Sequence, residues 1–109
     1  MIRVCAAEQL AEGQARGFHL NGNSLVVVRK YGQVHAWLNL CPHRQVPLNW
    51  QPDAFLDDSA SLLRCAHHGA LFLIDSGECV SGPCTGESLV PIDCREVDQA
   101  IWLLNSPAL

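Results

Sequence analysis

Cys41-Pro42-His43 and Cys65-Ala66-His67-His68 are the two stretches that decide the reading of this chain. Each pairs a thiol with an imidazole at short spacing, C-x-H and then C-x2-H, among turn-forming residues. Together they offer two sulfur and two nitrogen ligands. Thiolate sulfur is a soft ligand and imidazole nitrogen a borderline one. Such a quartet suits a tetrahedral zinc ion, or a [2Fe–2S] cluster with one iron on Cys41 and Cys65 and the other on His43 and His68. The C-x2-H register selects His68, leaving His67 as a neighbour of the ligand.

Outward from these words the chain reads as short strands separated by turn signals, the pattern of an all-β fold. Residues 16–20 and 25–30 flank Asn21-Gly22-Asn23, an Asn-Gly hairpin turn. Tyr31-Gly32-Gln33 turns again and 34–38 follows. Leu25-Val26-Val27-Val28 has the unbroken apolar character of a strand buried on both faces. Residues 61–64 lead into the second Cys/His loop and 70–74 leave it. Asp75-Ser76-Gly77-Glu78 is a further turn, and 89–94 and 100–104 close the sheet around Asp98-Gln99. A brief helical turn is expected within 8–14 and another within 50–59. No repeat, low-complexity run or linker interrupts the pattern, so 1–109 reads as one domain.

A chain of 109 residues, 49% of them hydrophobic, can bury its own core. No long apolar run follows a basic leader, so no signal peptide is expected. The longest apolar runs, 70–74 and 100–104, are too short to cross a bilayer. The expected location is cytoplasmic, with no membrane association. Six cysteines in a chain without an export signal point to metal ligation rather than a disulfide framework. The formal charge of −4 argues against nucleic acid as a partner and suits docking onto a basic patch of a redox protein.

The words C-P-H-R-Q-V-P-L (Cys41 to Leu48), C-A-H-H-G-A-L-F (Cys65 to Phe72) and S-G-E-C-V-S-G-P (Ser76 to Pro83) resemble those of Rieske [2Fe–2S] proteins. That family shows C-P-H-R-G-x-x-L, then C-x-x-H-G-x-x-F, then G-x-x-x-x-G-P. The likeness spans residues 34–92 and includes Arg44, Gly69, Phe72, Gly77, Gly82 and Pro83 besides the four ligands. The gap between the two ligand words is longer than the common one, which a surface loop tolerates. The resemblance implies stacked antiparallel sheets. A cluster-binding subdomain at about 40–85 would rest on a base of 1–39 and 86–109. It implies one [2Fe–2S] cluster on Cys41, His43, Cys65 and His68, and a third loop, Ser81-Gly82-Pro83, that covers it.

Two absences shape the expected chemistry. High-potential relatives carry an extra Cys in each ligand loop, where this chain has Val46 and His67. They also place Ser and Tyr hydroxyls beside the cluster, where this chain has Ala70 and Phe72. Side chains without a donor cannot stabilise the reduced state, so a low potential is expected.

The resulting expectation is a one-electron carrier, not an enzyme. It would take electrons from a flavin- or NAD(P)H-linked reductase and deliver them to a terminal oxygenase. No 2-His-1-carboxylate word is present. The alternatives are an accessory subunit of a larger reductase or oxygenase, a redox or iron-status sensor using Cys79 and Cys84, and a zinc knuckle. His19 and His35 read as ordinary strand histidines, Cys5, Cys79, Cys84 and Cys94 as small core residues, and Trp37, Phe72 and Trp102 as core aromatics. The insertion at 50–59, with Trp50, Asp53, Phe55, Asp57 and Asp58, reads as a solvated loop, or more sharply as a face for a partner.

Overall fold

Leu25, Val26, Val27 and Val28 are all fully buried, and they split between two cores. Side chains alternate across a strand. Leu25 and Val27 pack with Leu10, Ala36, Leu38, Ile101 and Leu103. Val26 and Val28 pack with Trp37, Leu48, Phe55, Leu63, Phe72 and Ile74. A strand with apolar side chains on both faces must lie between two layers, and the architecture follows from that.

The computed structural model describes residues 2–20, 22–42, 48, 55–57, 61–65, 69–82 and 85–104. In chain order the strands are β1 (Ile2–Ala6), β2 (Ala15–Leu20), β3 (Asn23–Lys30), β4 (Gln33–Leu38), β5 (Leu62–Arg64), β6 (Leu71–Leu73), β7 (Cys79–Ser81), β8 (Pro91–Ile92), β9 (Cys94–Val97) and β10 (Ala100–Leu103). They form three antiparallel sheets, ordered β1-β10-β9, β2-β3-β4-β8 and β5-β6-β7. The middle sheet carries β3. One of its faces shares a core with β1 and β10, the other with β5, β6 and β7. This is the expected all-β arrangement of stacked antiparallel sheets. Among the described residues no helix is long and apolar enough to cross a membrane.

Three hairpins have two-residue links, which need positive φ to match the strand twist. Gly22 has φ +80 in the first, as the Asn-Gly signal requires. Tyr31 and Gly32 form the second, with φ +55 and +75. Glu12 holds that turn: its carboxylate accepts from the Tyr31 amide at 2.7 Å and the Gly32 amide at 2.8 Å. Asp98 and Gln99 form the third with no glycine, at φ +53 and +64. The Ala7 amide donates to the Gln99 carbonyl at 2.8 Å and fixes it.

The structure departs from the sequence reading in three places. Residues 2–6 form β1, which no turn signal announces. The helical turn expected within 8–14 is a 3-10 turn, Ala7–Gln9, with Gln9 Oε1 accepting from the Ala6 amide at 2.9 Å. The single strand expected at 89–94 is two. The chain leaves the middle sheet after Ile92 and joins the outer sheet at Cys94. Pro91 explains the break in kind: lacking an N–H, it sits in β8 at the sheet's edge, against Trp37. The second helical turn, expected within 50–59, falls largely outside the described residues.

Charge ties the middle and outer sheets together. Arg29 donates through Nε to the Leu10 carbonyl at 2.7 Å and through Nη1 to Glu96 Oε1 at 2.7 Å. The Arg29 hydrogen bond holds the Glu96 carboxyl below its ordinary value of 4.5. The Gly32 and then the Tyr31 amide do the same for Glu12.

Gly77 has φ +74, and a Cβ there would lie 2.6 Å from the Trp37 ring. Gly13 has φ +76 with no atom within 4 Å of such a Cβ. Gly77→Ala therefore combines backbone strain with a clash and is expected to cost about 2–4 kcal/mol in denaturant unfolding, against about 1 kcal/mol for Gly13→Ala. Equal costs would contradict this packing. Because both glutamate pKa values are lowered on folding, their contribution is present above pH 4.5 and is lost as pH falls through the folded values. Glu12→Gln and Glu96→Gln should lower Tm at pH 7, and the gap from the parent should close in acid.

Candidate metal centre

The two predicted sulfur ligands enter the site from different sheets. Cys41 lies just beyond β4 and Cys65 directly after β5. Both are thiols, both are fully buried, and both belong to the same core as Val26, Val28 and Phe72. The structure thus brings together the first residue of each ligand word. His43 and His68 lie outside the described residues, as do His67, Arg44, Val46, Pro83 and Cys84.

Each loop is held at its neck. In the second, the Cys65 amide donates to the Ala70 carbonyl at 2.9 Å, and the Gly69 amide donates back to the Cys65 carbonyl at 2.8 Å. Gly69 has φ +68, with no atom near a notional Cβ, so backbone conformation alone requires glycine there. The first loop is held by Asn39, a residue the sequence reading passed over. Its Oδ1 accepts from the buried Leu48 amide at 2.8 Å, and its Nδ2 donates to Ser24 Oγ at 3.1 Å. A polar side chain inside the apolar run Ala36-Trp37-Leu38-Asn39-Leu40-Cys41 was the available signal.

The start of the third loop packs on the second. Gly82 has φ +104, and a Cβ there would lie 2.8 Å from Ala70 Cα. The Thr85 hydroxyl donates to the Gly82 carbonyl at 2.7 Å and closes the turn. Ala70 and Phe72 are fully buried and supply no side-chain donor, as the sequence indicates.

Of the remaining described cysteines, Cys79 is buried in the same core as Cys41 and Cys65, whereas Cys5 and Cys94 pack in the other. Cys79 donates its thiol to the Ser81 carbonyl at 3.3 Å. Burial raises the pKa of Cys5, and pushes Cys94 up to about 11 with help from the Asp93 charge. Neither is primed as a thiolate. His19 is on β2 and His35 on β4.

Phe55 takes no part in an exposed face of the insertion. Its ring is buried over Gly17, where a Cβ would meet it at 3.0 Å. Leu56 bridges to Leu63, and the Arg64 amide donates to the Phe55 carbonyl at 2.8 Å. Asp57 Oδ1 accepts from the Ser61 and Leu62 amides. The described end of the insertion therefore extends the β5 edge and offers no exposed aromatic. Trp50, Asp53 and Asp58 lie outside the described residues.

Two buried thiols in an apolar core suit a positively charged metal group. Among the described residues Asn39 is the one buried polar side chain outside the apolar set, and no buried cation accompanies the thiols. Thiolates there would be strongly disfavoured without a compensating charge. A diferric two-sulfide core, with net charge of about +2, provides it. The donor set fits the group.

Comparison with known proteins agrees. Residues 1–101 match the Rieske [2Fe-2S] domain. The mouse (Mus musculus) protein "Apoptosis-inducing factor 3" is 35% identical over 75 residues, covering 69% of this chain but 12% of that protein. The ferredoxin component of the alkene monooxygenase system of Xanthobacter autotrophicus (strain ATCC BAA-1158 / Py2) is 27% identical over 77 residues, covering 71% of this chain and 60% of that one. A chain in the solved complex of reduced oxygenase and oxidized ferredoxin in carbazole 1,9a-dioxygenase superposes with a TM-score of 0.79 at 26% identity, covering 99% of this chain and 95% of that chain. A zinc knuckle is set aside by the family match. The chain belongs to the Rieske [2Fe-2S] domain family, and the group it carries is one [2Fe–2S] cluster.

Proposed function

We propose that this chain is a one-electron carrier, a Rieske-type ferredoxin that links a flavin- or NAD(P)H-dependent reductase to a terminal oxygenase. The observation that carries the reading is the burial of Cys41 and Cys65 in one core, each at the neck of a hydrogen-bonded loop. When bound, the cluster supplies reversible one-electron transfer. Cys41 and Cys65 would bind one iron through sulfur, and His43 and His68 the other through imidazole nitrogen. Loops pinned to a sheet keep ligands in place when the charge changes. The core around the thiols excludes water. On this reading 40–85 is the cluster-binding subdomain and 1–39 with 86–109 the base.

The names of relatives support the partner class. One relative is the ferredoxin component of a monooxygenase system, and one superposed chain comes from an oxygenase–ferredoxin complex. On this reading the chain is a component of a redox system and not a catalyst. Cytoplasmic location belongs to the same proposal, as does the absence of nucleic-acid and membrane partners. A second reading, a module within a larger oxidoreductase, draws on the mouse relative, of which the matched stretch is a small part.

Fresh protein should be reddish-brown and contain two irons and two acid-labile sulfides per chain. His43→Ala and His68→Ala should each abolish the EPR signal of the reduced protein. Electron flow from reductase to oxygenase should require the parent protein. An unaltered EPR signal and full metal content in either variant would overturn the ligand assignment.

Missing donors set the expected potential. A hydrogen bond to a charged acceptor should favour the reduced over the oxidised site by roughly 1–2 kcal/mol. For one electron, about 1.4 kcal/mol corresponds to 59 mV. With Ala70 and Phe72 in place, the potential should lie about 100–200 mV below that of relatives with both hydroxyls. Phe72→Tyr and Ala70→Ser should each raise it in protein-film voltammetry. A clearly positive potential in the parent at pH 7 would rule out a donor-poor cluster environment.

A further inference from the structure

The described residues hold one buried polar side chain outside the apolar cores, Asn39, and its hydrogen bonds link the end of the first ligand word, Leu48, to Ser24. Asn39 lies two residues before Cys41. Its amide donates to the Ser24 carbonyl at 2.9 Å, its Nδ2 donates to Ser24 Oγ at 3.1 Å, and its Oδ1 accepts from the Leu48 amide at 2.8 Å. Ser24 is in β3, the strand that divides the two cores. Leu48 is fully buried in the core that contains Cys41 and Cys65. One side chain therefore joins both ends of the 40–47 segment, which contains Cys41 and His43, to the most buried strand of the fold.

We infer that Asn39 is a positioning residue for the cluster: by clamping Leu48 to Ser24 it holds the Cys41–His43 loop in its ligating form. The inference rests on the ligand reading above. The physical reason is the cost of the alternative. Without Oδ1, the Leu48 amide is a buried donor with no acceptor, and the neck of the loop opens to satisfy it with water. The neck of the second ligand loop closes through the backbone of Cys65, Gly69 and Ala70. The first loop has a wider neck, nine residues from Asn39 to Leu48, and uses a side chain instead.

Five holoproteins test this: the parent, Asn39→Ala, Asn39→Asp, Ser24→Ala and Ile101→Val. Ile101 is fully buried in the other core, with Leu25 and Val27, and controls for a general loss of stability. The readouts are the half-life of the visible cluster absorbance under a chelator, the EPR line shape of the reduced protein, and hydrogen exchange of the peptide containing Leu48. Asn39→Ala should shorten the half-life about tenfold, equivalent to about 1.4 kcal/mol. It should also broaden the EPR lines and raise exchange at Leu48. Ser24→Ala should change the half-life less, since it leaves the Leu48 bond intact. Asn39→Asp, which keeps an oxygen acceptor for Leu48, should restore most of the half-life while its added negative charge lowers the potential. Parent-like half-life and exchange in Asn39→Ala would overturn the inference. So would an equal loss of cluster in Ile101→Val at matched Tm. If the parent itself lacks a two-iron, two-sulfide centre, the ligand reading fails before the clamp is in question, and the two failures are distinguishable.

Discussion

Burial of β3 on both faces is the constraint from which the rest of the structure follows. Its four central side chains leave water completely, and each contributes about 1.5–3 kcal/mol. Because they alternate, the gain requires a packed layer on each side. The outer sheet of β1, β10 and β9 supplies one, and the small sheet of β5, β6 and β7 supplies the other. β4 repeats the division, with Ala36 and Leu38 facing one core and Trp37 the other. Cys41, just beyond β4, inherits its place from that alternation. The site is therefore an extension of the packing of the middle sheet.

The two ligand loops meet the same demand in different ways. Any loop that projects from a sheet leaves backbone groups at its neck that need partners. The Cys65 loop is short enough for its own amides and carbonyls to pair. The Cys41 loop is longer, and Asn39 spans the gap. The third loop adds close contact: Gly82 approaches Ala70 so nearly that any Cβ would displace it. Small residues and one amide side chain thus do locally what a larger domain would do with added elements.

Much of this was legible in the sequence, for a reason visible in particular residues. Residue type and spacing single out Cys41, His43, Cys65 and His68 as candidate ligands, and the structure brings the two thiols into one core. The Val-rich run gave β3, because an apolar stretch without alternation has no solvent face. Asn21-Gly22 and Tyr31-Gly32 gave their hairpins, because few residues accept positive φ. What escaped depends on tertiary context. Asp98-Gln99 adopts positive φ without glycine because Ala7 fixes it from a distant strand. Residues 89–94 look continuous, yet split because two sheets compete for them. Phe55 looked exposed among acidic residues, but Gly17 leaves room for its ring. Asn39 breaks an apolar run, but its role is hidden in one dimension, since its partners are 15 residues before it and nine after.

Charge is distributed to match. Arg29, Glu96 and Glu12 act on the outer sheet, the Leu10 segment and the Tyr31-Gly32 turn. None of these hydrogen bonds reaches a residue of the core that holds Cys41 and Cys65. Protonation of these glutamates thus weakens the frame and leaves the surroundings of the thiols unchanged. Around the thiols, the described core is apolar, and Asn39 contributes dipoles but no ion. In such a medium the charge of a bound diiron core is balanced chiefly by its own ligands. The number of anionic ligands then dominates the site's net charge, so the proposed set of two thiolates and two imidazoles would leave it less negative than four thiolates. Burial of both thiols keeps water, whose reorientation opposes a change of charge, away from the sulfur side of the proposed site.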